Sequence, residues 1–145
     1  MKSSIPILFL TIAFSASTAI ADEAGPRQRA EQFLATLSRG EIDKAYDQLF
    51  AGSEVASAQP TRIDALKRQT TANLPIYGKA IGYDLVLEKS FGTSVVRLLY
   101  VLKMEKHPVV WEFFFYRPKD KWFIANVGLN DEFNGLRGSE SPPKT

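Results

Sequence analysis

Residues 81–131 carry the densest hydrophobic pattern of the chain, in runs rich in Val, Leu, Phe, Tyr and Trp. Short turn signals interrupt these runs at Gly92-Thr93, at His107-Pro108 and at residues 118–121. Apolar runs separated by such turns are typical of antiparallel hairpins. The pattern therefore predicts one meander of four strands, over residues 81–91, 94–106, 109–117 and 122–131.

Two-residue loops at the first two turns would fix the register of this sheet. The first loop sets Glu88 opposite Arg97, and the second sets Lys103 opposite Glu112. Opposite charges would then face each other twice, which is favourable across strands. Because side chains alternate along a strand, the same register divides the residues between two faces of the sheet.

The two predicted faces differ in character. The first face is almost wholly apolar and must be covered; it carries Tyr83, Leu85, Leu87, Val96, Leu98, Tyr100, Leu102, Met104, Trp111, Phe113, Phe115, Ile124 and Asn126. The second face is mixed; it carries Asp84, Val86, Glu88, Arg97, Leu99, Val101, Lys103, Glu112, Phe114, Tyr116, Ala125 and Val127. The reverse assignment would make a charged, catalytic-looking pocket, but it would leave the large apolar side chains in water.

Helical patterns precede the sheet. Apolar residues recur at helical spacing between Pro26, which suits a first helical turn, and Gly40, which suits a C-terminal cap. A second amphipathic helix follows directly. We expect Trp111, Phe113 and Phe115 of the first sheet face to be buried against Phe33, Leu37, Tyr46 and Leu49 of these two helices. After a connector of small residues over 53–60, Thr61 and Asp64 resemble a capping box that opens a third helix. Helices gathered on one face of an antiparallel meander make an α+β two-layer domain.

Two segments resemble a known superfamily. FLATLSRGEIDKAYDQLF, a helix, a Gly break and a helix with an Ala-Tyr pair, looks like the opening of the nuclear transport factor two-like (cone fold) superfamily. KWFIANVGLND is similar to the last strand of its small exported members, and the resemblance covers about residues 26–131. It implies N-terminal helices packed on a curved four-stranded sheet, a conical pocket and frequently a dimer formed through the sheet. The superfamily includes isomerases, dehydratases, cyclases and many non-catalytic binding domains, so the fold does not select a function.

The first 21 residues have the pattern of a secretory signal peptide. Lys2 precedes an apolar core over residues 5–14, and Ala19-Ile20-Ala21 is a small-x-small cleavage site. An uncleaved membrane anchor is the alternative, but it needs a longer apolar run. The pattern predicts export to the periplasm or beyond the cell, with no stable membrane anchor.

Composition fits one exported domain that its own core holds together. We expect this domain over residues 22–133 and a disordered tail over residues 134–145. The chain has no Cys, so no disulfide contributes, but it is 45% hydrophobic and has ten Phe. Removal of Lys2 with the signal lowers the basic count from 18 to 17, against 16 acidic residues. This balance gives no electrostatic case for binding nucleic acid or an anionic membrane.

Signals for catalysis, metals and cofactors are few. The one histidine, His107, is predicted in a solvent-exposed hairpin turn. With one His and no Cys, a zinc site would need mostly carboxylates, and the sequence has no such cluster. No cofactor is expected. The predicted first face offers no carboxylate that could serve as a general base.

The candidates for a ligand pocket are the polar-tipped side chains of the first face. They are Tyr46, arriving from the second helix, and Tyr83, Tyr100, Trp111 and Asn126 from the sheet. The alternative for each tyrosine is a core residue whose hydroxyl is hydrogen-bonded at the edge. Asn126 must find hydrogen-bond partners among large apolar neighbours, which backbone or water would also supply.

The expected function is that of an exported non-catalytic domain that binds a small apolar ligand or a protein partner. A small isomerase- or dehydratase-like enzyme is the alternative, and in a third interpretation the protein's own side chains fill the cone. The second face is a predicted homodimer interface, because an apolar strip with a charged rim is typical of interfaces; an ordinary solvent face is its alternative. The interface candidates are Leu99, Val101, Phe114, Tyr116 and Val127.

The signal-peptide pattern predicts that the mature protein begins at Asp22. Mass spectrometry of the periplasmic or secreted fraction should detect a chain of 124 residues, since removal of 21 leaves that many of the 145. Detection of residues 1–21 on the exported protein would contradict the prediction.

Overall fold

The computed structural model describes residues 24–133, in which four helices precede a four-stranded antiparallel sheet of order β1-β2-β3-β4. The helices are α1 (Pro26–Ser38), α2 (Ile42–Phe50), α3 (Glu54–Ala58) and α4 (Pro60–Asn73), followed by a 3-10 turn (Leu74–Tyr77); the strands are β1 (Ala80–Phe91), β2 (Val95–Met104), β3 (Val109–Tyr116) and β4 (Phe123–Asn130). The predicted α+β class, with N-terminal helices followed by an antiparallel meander, is confirmed. The predicted signal peptide and C-terminal tail lie outside the described residues.

The connector ahead of α4 contains a short helix that the sequence pattern did not predict. Ser53 is its N-cap, and the Ser53 hydroxyl oxygen accepts a backbone hydrogen bond from the first turn of α3. α4 then begins at Pro60, a position where the missing N–H of proline is tolerated. The predicted capping box at Thr61 and Asp64 is therefore wrong, because the N-cap is Gln59 and its side chain makes no capping bond.

Aromatic side chains of α1, α2 and the sheet meet at the centre of the core. The Phe33 ring lies edge-on to three others, with its centroid 5.1 Å from that of Tyr46, 5.1 Å from that of Trp111 and 5.6 Å from that of Phe113. Such pairs contribute about 0.5–1.5 kcal/mol each beyond the burial of their area. The predicted core is confirmed, since one buried cluster contains Phe33, Leu37, Tyr46, Leu49, Trp111, Phe113 and Phe115.

Arg29 of α1 joins three parts of the chain. Its Nη1 donates a hydrogen bond to the carbonyl of Trp122 at 2.6 Å, and its Nη2 donates to the carbonyls of Leu49 at 2.8 Å and Ala51 at 3.2 Å. Its guanidinium also lies 5.8 Å from the centroid of the Phe115 ring. Carbonyls at the end of a helix have no partner within that helix. Arg29 therefore caps α2 and holds the start of β4 against α1.

The first hairpin has a longer loop than predicted, because pairing resumes one residue later on β2. Lys89, and not Glu88, pairs with Arg97, so the predicted Glu88–Arg97 pair is wrong. Val86 is an extra residue in β1, and beyond it the predicted register returns. A slip of one residue exchanges the faces of a strand. Between Val86 and the loop, Leu87 therefore lies on the second face and Glu88 on the first, the reverse of the prediction.

In the second hairpin, the observed pairing register differs from the predicted register by an even number of residues. Val109 pairs with Leu102, four residues earlier on β2 than predicted. Because side chains alternate with a period of two, every residue of β2 and β3 keeps its predicted face. The predicted pair of Lys103 with Glu112 is wrong, since Glu112 Oε1 accepts a hydrogen bond from Arg97 Nε at 2.5 Å.

β4 contains one extra residue, Ala125, which exchanges the faces of the rest of that strand. Phe114 pairs with Asn126, so Asn126 lies on the second face. Val127 pairs with Phe113 and lies on the first face, where it is 6% exposed and belongs to the core cluster. The prediction had placed these two residues the other way round. No turn signal in the sequence marks the extra residue.

The core geometry predicts a large cost for truncating Phe113, whose side chain is fully buried. Phe113→Ala should lower the free energy of unfolding by about 3–5 kcal/mol, the usual range for a buried Phe. Denaturant unfolding monitored by circular dichroism measures this loss. Phe91→Ala is the matched control, because Phe91 is 44% exposed at the end of β1. Equal losses in the two variants would contradict this description of the core.

Candidate functional site

Tyr46 and Tyr100, two of the predicted pocket residues, are core residues with satisfied hydroxyl groups. Both are at most 1% exposed. The Tyr46 hydroxyl is hydrogen-bonded to the hydroxyl of Thr70 on α4 at 2.8 Å, and Tyr100 donates to Glu31 Oε1 on α1 at 3.1 Å. The first bond joins α2 to α4, and the second joins β2 to α1. Both bonds also occupy the groups that a pocket ligand would need.

Tyr83 and Trp111 are the other two aromatic residues predicted to line the pocket. Tyr83 is half-buried and packs edge-on to Tyr100, with centroids 6.0 Å apart. Trp111 is fully buried, and within residues 24–133 its indole Nε1–H has no hydrogen-bond partner. A buried donor without a partner opposes folding. The stabilising contribution of Trp111 therefore comes from its ring contacts with Phe33 and Phe113 and not from a hydrogen bond. Aromatic rings fill the space in which the sequence predicted a pocket.

Asn126, the remaining pocket candidate, is not on the predicted face. The extra residue Ala125 turns it to the second face, where its side chain is exposed. Asn126 Oδ1 accepts a long hydrogen bond of 3.4 Å from Arg62 on α4. The amide therefore lies at the outer border between α4 and β4, away from the four aromatic candidates.

Two carboxylates that sequence reasoning missed reach the first face. Glu31 arrives from α1, and Glu88 is turned inward by the extra residue in β1. Arg27 lies between them, with its Nε 3.1 Å from Glu31 Oε1 and its Nη1 4.0 Å from Glu88 Oε2. Burial, followed by the negative charge of Glu31, raises the pKa of the Tyr100 hydroxyl. This network joins α1 to β1 and β2. From the sequence, only the position of Glu31 in the first predicted helix could have indicated this network.

The predicted dimer candidates separate into two groups. Leu99 is fully buried within one protomer, and Val127 lies in the core on the opposite face. These two residues cannot contribute to an interface. Val101 and Phe114 are half-buried on the second face and Tyr116 is 45% exposed. Self-association through this smaller surface stays a prediction.

His107 is less exposed than its predicted place in a hairpin turn implied. Its ring is half-buried between those of Tyr77 and Phe133, with centroid distances of 5.5 Å and 5.6 Å. Nδ1 lies 2.7 Å from the carbonyl oxygen of Pro108, so it acts as the donor of that bond. The hydroxyl of Tyr77 donates to Asp131 at 2.5 Å. By contacting both Phe133 and Tyr77, His107 helps to hold the segment after β4 against the 3-10 turn.

An open cleft of about 510 Å³ lies between α3 and the start of β4. We name it the β4 cleft; its lining residues are Ser53, Glu54, Val55, Tyr116, Pro118, Lys119, Phe123, Ile124 and Ala125. Ser53, Val55, Ile124 and Ala125 also line an adjoining recess of about 30 Å³, which extends toward α4. Cavities that bind ligands commonly measure about 300–1,000 Å³, so the β4 cleft has the size of a binding site.

The walls of the β4 cleft expose unusual amounts of apolar surface. Val55 on α3 is 65% exposed and Tyr116 on β3 is 45% exposed. Glu54 and Lys119 add one charge of each sign to the lining. An apolar centre with a few polar groups at its border is the common composition of binding surfaces. Of the sequence candidates, Tyr116 lines this cleft, and Asn126 and Val127 line the adjoining recess.

The described residues contain neither a metal-binding cluster nor a membrane-spanning helix. Within residues 24–133, no group of three or more His, Asp or Glu side chains could hold a metal ion. The same part of the chain has no helix with the length and apolar character needed to span a bilayer. Comparisons with known proteins identify no relative: no family model matches the chain, and no curated protein or solved structure matches it. The cone-fold resemblance therefore stays a prediction.

The buried tyrosines predict a loss of stability at alkaline pH. Burial raises the pKa of the Tyr46 hydroxyl, opposed by its hydrogen bond to Thr70, and the pKa of Tyr100 is raised as well. In the unfolded chain both titrate near their ordinary value of about 10. Their contribution is therefore fully present below about pH 10 and is lost as the pH rises further, because the folded state then binds more protons.

Urea unfolding at a series of pH values measures this dependence. The free energy of unfolding should fall above about pH 10, and the double variant Tyr46→Phe, Tyr100→Phe should fall less steeply over the same interval. An identical slope in the two proteins would contradict the assignment.

Proposed function

We propose that this chain is an exported, non-catalytic binding domain that contacts a protein partner through the β4 cleft. The observation that carries the proposal is the pairing of a filled interior with an open apolar cleft. Phe33, Tyr46, Trp111 and Phe113 pack against one another inside the fold. Val55 and Tyr116 instead expose large apolar areas on the walls of the cleft.

A protein is a better occupant of the β4 cleft than a small molecule enclosed by the fold. The cleft is open to solvent, and its exposed Tyr116 is of a residue type that often dominates binding energy at protein interfaces. Glu54 and Lys119 supply the polar border on which a partner's orientation would depend. A protruding apolar side chain of a partner would cover Val55 and Phe123 while its flanking residues contact these charges.

The alternative of a small isomerase- or dehydratase-like enzyme has less support. Such an enzyme needs room for a substrate beside a titratable group. Tyr100 and Glu31 provide titratable groups on the first face, but they are bonded to each other and Arg27 is bonded to Glu31. These groups line neither the β4 cleft nor its recess.

Peptide selection tests the proposed partner class. A phage-displayed library of random peptides is selected against the purified protein, and the affinity of the enriched peptides is measured by fluorescence polarisation. We expect peptides with an aromatic or branched apolar residue and dissociation constants of roughly micromolar magnitude. Val55→Asp should weaken their binding about tenfold or more, because a buried unpaired carboxylate opposes association.

Val86→Asp is the matched control for this experiment. Val86 is 45% exposed on β1, the strand at the other edge of the sheet, so the same substitution is made away from the cleft. Its binding should stay within about twofold of the unchanged protein, since it contacts no cleft residue. Failure to enrich any peptide, or equal losses in the two variants, would overturn the proposal.

A further inference from the structure

A second open cleft, of about 410 Å³, lies at the opposite end of α2 from the β4 cleft. We name it the α1–α2 cleft; its walls are the turn between those helices, the segment from Leu74 to Ala80, and Met104 at the end of β2. The nine residues of α2 separate the two clefts by about 13 Å along the helix axis. The α1–α2 cleft therefore forms a separate site with the volume of a small-molecule pocket.

The floor of the α1–α2 cleft is the surface of the hydrophobic core itself. Leu37, Leu74 and Met104 belong to the core cluster and are 2%, 6% and 8% exposed, yet all three line the cleft. Ile42 and Ala80 are half-buried beside them. These two half-buried side chains, rather than the nearly covered floor, give an apolar chain a surface to pack against, and burial there is favourable in proportion to the area removed from water.

Two cations stand among the lining residues of this apolar floor. Within residues 24–133, the Lys79 ammonium makes no ion pair, although the backbone N–H of Lys79 donates to Glu105 Oε2 at 2.9 Å. Arg39 Nε lies 2.7 Å from Glu41 Oε1, but Lys44 shares the same carboxylate at 2.8 Å. Lys44 and Arg39 lower the pKa of Glu41 to about 2, so one carboxylate faces two cations. Arg39 Nη1 and Nη2 also donate to the Ala35 carbonyl and the Thr36 hydroxyl, both at 3.2 Å. The positive charge that an added anion would meet is therefore chiefly that of Lys79.

We propose that the α1–α2 cleft binds an anionic amphiphile with a single apolar chain. The chain packs on Ile42 and Ala80 above the floor of the cleft, and a carboxylate or phosphate head lies beside Lys79. A free fatty acid has this chemistry, whereas a diacyl lipid in a bilayer shares only the anionic head. The site is independent of the proposed protein partner, because no lining residue of this cleft also lines the β4 cleft.

Calorimetric titration of the purified protein with dodecanoate tests the site. We expect one dodecanoate per chain, weaker binding of neutral dodecanol, and weaker binding at higher salt. Lys79→Ala should reduce the affinity for dodecanoate about tenfold through the loss of one charge-assisted contact. Ile42→Glu should abolish binding, and a Glu at the first turn of α2 is compatible with the helix.

Two controls and a second probe decide the outcome. Lys89→Ala removes one positive charge from β1 outside the cleft, and Val55→Asp alters only the β4 cleft; both should bind dodecanoate as the unchanged protein does. Thermal unfolding verifies that each variant is folded. Cosedimentation with vesicles of phosphatidylglycerol, compared with phosphatidylcholine, tests the headgroup of an anionic lipid as the source.

Each result has a defined meaning. Dodecanoate binding that Ile42→Glu removes supports the proposal. Vesicle binding without dodecanoate binding overturns it, because the site would then recognise a bilayer headgroup and not a single apolar chain. Binding of neither probe, or binding that Ile42→Glu and Lys79→Ala leave unchanged, overturns the proposal. Because Val55→Asp is measured in both experiments, failure of this site and failure of the proposed protein partner are distinguishable.

Discussion

The fold depends on the way α1 is held against the sheet. The ring of Phe33 packs among those of Tyr46, Trp111 and Phe113. One helical turn earlier, Arg29 donates hydrogen bonds to backbone carbonyls at the end of α2 and just before β4. Apolar contact and hydrogen bonding thus act from neighbouring turns of the same helix. Because close-packed interiors leave little room for adjustment, the same contacts that stabilise the domain also close its interior to ligands.

With the interior filled, the two open clefts lie at the two ends of α2. One cleft lies between α3 and β4, and the other lies between the turn after α1 and the 3-10 turn. Both clefts are bounded by short connecting segments. Such segments are where binding residues are commonly found, held in place by the rigid elements that they join.

The sequence was sufficient for the α+β class, for the order of α1, α2, α4 and the four strands, and for the aromatic centre of the core. Periodicity in α1 and α2 and the turn signals of the sheet are local properties, and they identified Phe33, Leu37 and Phe113 correctly. Faces were predicted correctly in β2 and β3 but wrongly in parts of β1 and β4, because Val86 and Ala125 are extra residues without a local signal. The two clefts depend on how separate connecting segments meet in space, which no pattern along the chain records.

The positions of the irregular residues bear on how the folded protein avoids aggregation. β2 and β3, the central strands, pair without interruption, whereas the three extra residues, Ile81, Val86 and Ala125, all belong to the edge strands β1 and β4 and are exposed. A bulge on an edge strand interrupts the straight row of backbone donors and acceptors onto which another chain could add. The sheet therefore keeps a regular centre while both of its borders are poor templates for growth into fibrils.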